Sequence, residues 1–258
     1  MITQKEIGSL LGANLGVCSF ELVKDRLLPC RNLSFLPKEA KSIILFVFPY
    51  KVKEEKPKNI CRYAAVPDYH EVCKETLMDF CKTLSEHYKE NEFVAFIDNS
   101  PIPEVFAASA AGLGVSGKNG LLITKEYGSF VFIGEIVTDL EIENENLYGE
   151  CKNCGLCKAA CPVGLDKSRC LSLLTQKKGE LTKEEEKLIK ENGLVWGCDN
   201  CAEICPLNKE KGLSQIKPFV NGYRHSYAEN EDVLGRAYAW RGEKVVKRNL
   251  NIIKDGED

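Results

Sequence analysis

No stretch of these 258 residues is long and apolar enough to span a membrane, which takes about 20 consecutive apolar residues. The first residues, 1–7, are polar and contain no apolar segment of the kind that marks a secretory signal. An excess of positive charge is also absent, since the formal net charge is −3. We therefore expect a cytoplasmic protein that has no membrane partner and no globally basic surface for nucleic acid.

Histidine is scarce, with three residues, whereas cysteine is abundant, with 13. Cysteines in a chain without a secretory signal serve metals or lie buried as small apolar groups. The first of two cysteine runs has the spacing C-x2-C-x2-C-x3-C-P over residues 151–162. The second has the spacing C-x2-C-x3-C-P over residues 198–206, and Cys170 lies between the two runs.

The first spacing is that of the ligands that hold [4Fe–4S] clusters in two-cluster ferredoxins, where the fourth cysteine binds the other cluster. The sequence therefore predicts two [4Fe–4S] clusters with crossed ligation. One cluster takes Cys151, Cys154, Cys157 and Cys205, and the other takes Cys161, Cys170, Cys198 and Cys201. Structural zinc is the alternative, because four-cysteine zinc sites also contain C-x2-C pairs. Zinc ribbons pair two separated knuckles, so a single run of closely spaced cysteines favours iron–sulfur clusters.

The N-terminal half alternates helices with apolar strands, which is typical of an α/β core. We predict strands over 41–49, 93–98 and 129–138 and helices over 3–12, 68–89 and 103–111. Asp98 lies at the carboxyl end of the second strand, where α/β sheets place functional groups. A turn or cap role for Asp98 is the alternative. His70 gets no catalytic role from spacing alone, because a lone histidine is most often a surface or satisfied residue.

The glycine-rich segment 112–120 resembles two nucleotide-binding patterns without fitting either. A dinucleotide-binding turn follows a strand and opens a helix, whereas here a predicted helix precedes the glycines and an apolar run follows them. A Walker A loop needs Ser or Thr where this chain has Asn119. We therefore predict neither NAD nor ATP. Gly134, within the third strand, is expected to mark either a β-bulge or a close approach of neighbouring groups.

Two further helix signals lie in the C-terminal half. Thr182 and Glu185 form a capping box, so a helix is predicted to begin there. The pattern over residues 229–250 predicts a second helix that ends in a basic stretch. A basic helix of this kind is most often a solvated face.

Several motifs between residues 60 and 210, taken in order, resemble the epoxyqueuosine reductase family. The motifs are Arg62-Tyr63-Ala64 with Asp68-Tyr69-His70, Asp98-x-Ser100-Pro101 with Glu104, Ala111-Gly112-Leu113-Gly114-x-x-Gly117-Lys118-Asn119, Gly128-Ser129 with Gly134-Glu135, and the long cysteine run with Gly197-Cys198-Asp199-x-Cys201 and Cys205-Pro206-x-Asn208. Together they are far more specific than a ferredoxin-type cysteine run alone.

The resemblance implies an α+β or α/β fold, with an α/β core that binds base-off cobalamin and a ferredoxin-like module that holds the two clusters. It also implies an oxidoreductase that reduces epoxyqueuosine to queuosine in tRNA. Electrons would pass from an external low-potential donor, a flavodoxin or ferredoxin, through the clusters to cobalt. Asp98 is implied as the proton donor, which requires burial to raise its pKa. The implied cofactor-binding residues are Arg62, Asp98, Lys118, Asn119 and Leu122.

We expect three parts, which are a corrinoid-binding catalytic core over 1–145, the ferredoxin-like module over 146–215 and a helical segment over 216–258. Many family members continue into a helical-repeat domain that helps to hold the tRNA. This sequence ends at Asp258, so a short member without that domain is expected. Three alternatives stay open. One is a ferredoxin-type electron carrier, against which the α/β domain counts, and another is a corrinoid reductase that acts on a different small substrate. The third is a scaffold or corrinoid-handling protein that binds cobalamin without turnover.

Overall fold

The computed structural model of this chain describes residues 2–53, 55–144, 149, 151–229 and 231–254. The strands are β1 (Ile2–Thr3), β2 (Gly16–Ser19), β3 (Ser42–Pro49), β4 (Phe93–Ile97), β5 (Val115–Ser116), β6 (Leu122–Ile123), β7 (Val131–Thr138) and β8 (Ile142–Glu143). The α-helices are α1 (Gln4–Leu11), α2 (Arg62–Ala65), α3 (Tyr69–His87), α4 (Glu104–Ala110), α5 (Leu156–Ala159), α6 (Leu171–Thr175), α7 (Lys183–Asn192), α8 (Asn200–Glu203), α9 (Lys217–Asn221) and α10 (Glu243–Lys254). Among these helices of the described ranges, none has the length and apolar character needed to cross a membrane.

The chain forms two compact units. Unit 1 comprises Met1–Pro49 and His70–Lys152, and unit 2 comprises Tyr50–Tyr69 and Asn153–Asp258. The chain thus leaves unit 1 after β3, contributes a short segment to unit 2 and then returns to unit 1 along α3. The boundaries expected from the sequence, at 145 and 215, keep that segment with the N-terminal core. The division into the three expected parts stays a prediction.

Unit 1 is built on a four-stranded antiparallel sheet with the strand order β2-β3-β7-β4. Successive side chains of a strand point to opposite faces of the sheet. Ile43 and Leu45 of β3 therefore pack in the core that contains α4, whereas the ring of Phe46 lies 4.9 Å from that of Phe80 on α3. Because both faces of the central strands are covered, these strands are apolar along nearly their whole length.

Gly134 on β7 lies at a point of close approach, as the sequence predicts. A Cβ at this position would lie 2.8 Å from Phe48 Cε2 and 2.9 Å from Leu77 Cδ1. The strands and helices predicted for unit 1 are present, with ends that differ by only a few residues. Two small sheets complete the unit, since β1 pairs with β8 in parallel and β5 with β6 in antiparallel fashion.

Unit 2 packs its short helices around two apolar cores. The first core joins the 50–69 segment to C-terminal residues, because Ile60 forms a parallel bridge with Trp196 and the Cys61 N–H donates to the Trp196 carbonyl at 2.9 Å. The second core joins α6 to α7 through Leu171 and Ile189. Helix α7 begins after Thr182 with the predicted capping box.

The predicted helix over residues 229–250 is wrong at its start, because α10 begins only at Glu243. The preceding residues are held by the 50–69 segment instead. The Asp68 N–H donates to the Gly235 carbonyl at 2.9 Å, and the Arg236 guanidinium donates to the Ala65 carbonyl at 3.0 Å. These long-range hydrogen bonds override the local helical propensity.

Helix α10 is anchored to the rest of unit 2 by Asn249, whose side chain is fully buried. Its amide nitrogen donates to the carbonyls of Thr175 at 2.7 Å and Val195 at 2.8 Å. Its amide oxygen accepts from the Arg248 guanidinium at 2.9 Å. A buried amide with every group paired fixes the helix in one position, because a shift would leave polar atoms unsatisfied.

Candidate active site

Asp98 follows β4 directly, and its backbone φ of 55° is left-handed. This conformation is unfavourable for most residues but is visited by Asp and Asn. The side chain is 58% exposed. The burial that the sequence led us to expect for Asp98 is therefore not seen at its own side chain.

His70, at the start of α3, is the first neighbour of Asp98. Its Nε2 atom lies 3.1 Å from Asp98 Oδ2, which is hydrogen-bond distance. The contact fixes the direction of the aspartate side chain, and it carries a formal charge only when the imidazole is protonated. The structure thus gives His70 a place in the site that its sequence spacing did not indicate.

Glu104 lies near Asp98, and Glu135 lies near Glu104. We call Asp98, Glu104 and Glu135 the carboxyl cluster. Glu104 is the first residue of α4, and Glu135 lies on β7 opposite Phe96 of β4, with no exposed surface. Ser100 Oγ donates to Glu135 Oε2 at 2.7 Å. The other oxygen of each glutamate, Oε1, is buried and has no hydrogen-bond partner among the described residues.

The environment of both glutamates favours the protonated form. Burial raises the pKa of Glu104 to about 8, the negative charge of Asp98 adds to this shift, and His70 opposes it. Burial also raises the pKa of Glu135 well above its usual range, with a further contribution from Glu104, while the hydrogen bond from Ser100 opposes the shift. At neutral pH, the environment of Glu104 and Glu135 therefore favours the protonated form of both side chains.

The remaining predicted cofactor residues of unit 1 lie on or beside the turn between β5 and β6. Lys118 is exposed, and the side-chain oxygen of Asn119 accepts from the Leu121 N–H at 3.3 Å. Leu122 is 3% exposed and belongs to the core around α4. Their contacts with a cofactor stay a prediction.

Unit 1 also contains a cavity of about 1460 Å³ between α1 and the segments 111–113 and 124–127. Among the described residues that line it, none is one of the predicted site residues. The cavity is therefore a feature separate from the carboxyl cluster.

Arg62, predicted to bind the cofactor, lies in unit 2 with its side chain 11% exposed. Its backbone N–H donates to Asp199 Oδ2 at 2.7 Å, and its Nε donates to Glu203 Oε1 at 2.5 Å. Burial raises the pKa of Asp199 to about 6, although the Arg62 N–H works against the shift. These contacts tie α2 to the second cysteine run. A cofactor contact of Arg62 stays a prediction.

None of the 13 cysteines, all of which lie in the described ranges, forms a disulfide. Helix α5, which carries Cys157, packs against α8, which carries Cys201. Burial raises the pKa of the Cys198 thiol, and the neighbouring Cys170 and Cys161 add to the shift. Three members of one predicted ligand set therefore lie near one another. No group of three His, Cys, Asp or Glu residues within the described ranges is placed to hold a single metal ion.

Sequence reasoning did not assign a role to His70 or Glu104, which lie near Asp98, or to Glu135, which lies near Glu104. The two glutamates occur in the family motifs, and Glu135 is the one charged residue of the apolar strand β7. A lone acid in an apolar strand is costly to bury unless it is protonated or paired. That local signal points to Glu135, whereas the contact between His70 and Asp98 depends on tertiary structure.

An α/β unit with a proton-storing carboxyl cluster, on the same chain as a cysteine run typical of [4Fe–4S] ligands, has the components of an oxidoreductase. Burial favours the protonated form of the two glutamates in unit 1, and all the predicted ligand cysteines except Cys151 belong to unit 2. The fold and the site thus define the class of the protein.

Comparisons with known proteins identify the family. The family model described as "Epoxyqueuosine reductase QueG, DUF1730" matches residues 31–99. An epoxyqueuosine reductase of Lactococcus garvieae (strain Lg2) is 31% identical over 281 aligned positions, which cover 97% of this chain and 76% of that protein. The chain belongs to the epoxyqueuosine reductase family.

Solved structures agree with this assignment. A Bacillus subtilis epoxyqueuosine reductase, captured with an aspartate-bearing catalytic loop swung out of the active site, gives a TM-score of 0.80 at 25% identity. An epoxyqueuosine reductase with an epoxyqueuosine-modified tRNA stem loop gives a TM-score of 0.79 at 25% identity. Each match covers 97% of this chain and 80% of the other. The predicted family, fold class and oxidoreductase class are confirmed.

Proposed function

We propose that this chain reduces epoxyqueuosine to queuosine in tRNA, with Asp98 as the donor of a proton to the departing epoxide oxygen. The single observation that carries the proposal is the position of Asp98, which is exposed at the end of β4, 3.1 Å from His70 and next to Glu104. His70 orients the carboxyl group, and the exposed face of Asp98 is open to a substrate. A related structure with a modified tRNA stem loop supports this choice of substrate.

We propose that the eight cysteines in and between the two runs hold two [4Fe–4S] clusters with the crossed ligation predicted above. The donor chemistry fits, because thiolates are the ligands of such clusters and none of the eight cysteines forms a disulfide. The proximity of Cys161, Cys170 and Cys198 supports their assignment to one cluster. When bound, the clusters supply a path for single electrons toward the substrate site.

We propose base-off cobalamin as the second cofactor, on the family resemblance. When bound, it supplies a cobalt centre through which reducing electrons reach the substrate. Lys118 fits this role, because its exposed ammonium on the turn after β5 can donate to carbonyl groups on the periphery of a corrin. Arg62 fits less well, because its guanidinium already pairs with Glu203.

The reaction needs an external reductant, for which we propose a flavodoxin or ferredoxin. A tRNA substrate and a thiol-rich chain without disulfides are suited to a reducing cytoplasm. The expected activity thus requires two partners, the electron donor and the modified tRNA, and two kinds of cofactor.

The test is purification of the chain without oxygen, followed by metal analysis and an assay on tRNA that carries epoxyqueuosine. We expect about eight irons per chain, the content of two [4Fe–4S] clusters, together with bound corrinoid and conversion to queuosine. Iron at that level with no affinity for cobalamin and no turnover would contradict the reductase and indicate an electron carrier. Zinc in place of iron would contradict the cluster assignment.

A further inference from the structure

We propose that Glu104 supplies the second proton of the reaction, which it holds behind Asp98 and passes to that residue during each turnover. The inference rests on the proposed function. Glu104 acts through Asp98 rather than on the substrate, and the fully buried Glu135 lies near Glu104. The arrangement gives the site two protons where Asp98 alone carries one.

The proton requirement follows from the chemistry of the proposed reduction. Two C–O bonds of the epoxide break, a C=C bond forms and the oxygen leaves as water. The balance takes two electrons, which the external low-potential donor supplies, and two protons. Asp98 delivers one proton to the oxygen and is then a carboxylate, so it must be reprotonated before it can deliver another. A nearby acid that is protonated at neutral pH shortens that step.

The geometry places Glu104 where such an acid is needed. The three carboxyl groups form a gradient of exposure, from Glu135 with no exposed surface, through Glu104 at the start of α4, to Asp98 at 58%. Asp98 and His70 are the charged groups that act on Glu104. The buried Oε1 atoms of the two glutamates, which have no hydrogen-bond partner among the described residues, leave positions for a proton or a bridging water.

The protonation state agrees with this geometry. Burial raises the pKa of Glu104 to about 8, and the pKa of Glu135 is raised further by burial and by Glu104. Two neighbouring carboxyl groups cannot both ionise in a buried site, so the pair retains at least one proton at neutral pH. The usual role of an acidic residue in the first turn of a helix is a charged one that favours the helix dipole, and burial opposes that role here.

Other titratable groups near the cluster do not compete as the donor. On the strands that pack against α4, the buried thiol is Cys18 of β2, and burial raises its pKa to about 11. The Arg26 guanidinium lies 4.4 Å from the centre of the Phe106 ring on the next part of α4. Ser100 donates its proton to Glu135. The acid that faces Asp98 is therefore Glu104.

The experiment compares the reconstituted holoenzyme with its Glu104→Gln variant in tRNA turnover across neutral and alkaline pH. In the wild type we expect the rate to fall as pH rises through about 8, where Glu104 loses its proton. In the variant we expect a rate lower by about 100-fold, the lower end for general acid catalysis, and no such alkaline limb. Glu75→Gln, on the exposed face of α3, is the matched control and should behave as the wild type.

Infrared difference spectroscopy gives a second readout that needs no turnover. The wild type should show a protonated-carboxyl band that disappears as pH rises through about 8 and that Glu104→Gln removes. A variant with the wild-type rate and alkaline limb would overturn the proposal. If the wild type does not reduce the tRNA, the proposed function fails, and the infrared band alone then decides whether Glu104 is the proton store. Absence of a band that titrates there would overturn that role.

Discussion

Asp98 is held in a left-handed backbone conformation at the exposed end of β4, and this conformation restricts which residues can replace it. Asn adopts the left-handed region at least as readily as Asp, and its side chain has the same shape. The amide can still contact His70 but carries no acidic proton at neutral pH. A substitution by Asn therefore separates the proton chemistry from the fold at this position.

The first prediction concerns that substitution. Asp98→Asn should retain the iron content and corrinoid affinity of the wild type while turnover falls by about 1000-fold, because a general acid typically contributes 10²–10⁴-fold. Metal analysis and the tRNA assay on the same sample measure the two properties. Asp79→Asn, on the exposed side of α3, is the control that should leave both unchanged. Undiminished turnover in Asp98→Asn would remove Asp98 from the mechanism.

Glu104 leads to a prediction about stability. A carboxyl whose pKa is raised by folding contributes stability that is fully present below its unfolded pKa and is lost as pH rises through its folded pKa. For Glu104 this window runs from 4.5 to about 8. Glu104→Gln removes the effect, so the variant should gain free energy of unfolding relative to the wild type across the window, by about 1.4 kcal/mol per unit of pKa shift.

Urea denaturation at several pH values measures this difference. The contribution of Asp199 cancels when the variant is compared with the wild type at the same pH, whereas Glu135, whose pKa Glu104 helps to raise, ionises more readily in the variant and changes the difference in the same direction. The exposed Glu75→Gln variant should show no change with pH. A constant difference between Glu104→Gln and the wild type would mean that Glu104 is not a buried, protonated carboxyl.

At the scale of elements, the sequence predicts what local patterns determine. Strands β3 and β7 are continuous apolar runs, and α3 has an apolar face, so their positions follow from periodicity. The start of α10 does not follow from periodicity, because Arg236 and its neighbours form hydrogen bonds with a segment that is distant in sequence. The carboxyl cluster also depends on the register of β4 against β7, which no local pattern of residues specifies.

The contact between the 50–69 segment and the second cysteine run gives a prediction about Gly197. Its φ of +72° is left-handed, and a Cβ there would overlap Cys61 Sγ. Gly197→Ala should lower the free energy of unfolding by about 1–2 kcal/mol for the backbone conformation and by about 1–3 kcal/mol more for the overlap.

Gly179→Ala is the matched control for that measurement. Its φ is also left-handed, at +82°, but a Cβ there would meet no atom of the described residues within 4 Å. The control should therefore show only the backbone cost in urea denaturation. Equal losses in the two variants would mean that Cys61 and Gly197 do not pack as closely as the structure indicates.

At the scale of the whole molecule, the chain carries two buried glutamates in unit 1 and seven of the eight predicted ligand cysteines in unit 2, with Cys151 at the end of unit 1. The sequence specifies the thiols through their spacing, and it specifies the family through motifs spread over both units. It does not specify proton storage, because protonation depends on burial and on neighbours brought together by folding. The structure therefore adds the buried glutamates, whose protonated form is favoured, to the thiols that the sequence predicts.

The cluster assignment gives a prediction for the molecule as a whole. Cys170→Ala removes one ligand of one cluster, so the iron content should fall from about eight to about four per chain. Cys81→Ala, which removes a buried thiol of unit 1 outside the two runs, should retain all the iron. Iron analysis with electron paramagnetic resonance of the reduced protein measures both. Full iron content in Cys170→Ala would exclude Cys170 as a ligand.

Residues 50–69 belong to unit 2, although the stretches before and after them in the sequence belong to unit 1. This order affects folding during synthesis on the ribosome. The Tyr63 hydroxyl accepts a hydrogen bond from Trp196, which the ribosome adds 133 positions later. Because the ribosome adds about 5–20 residues per second, Ile60 and Cys61 are synthesised on the order of ten seconds before the residues that they contact in unit 2. During that interval the apolar residues of the 50–69 segment lack the C-terminal residues against which they pack in the folded protein. The core of unit 2 is complete only after α10 has been synthesised.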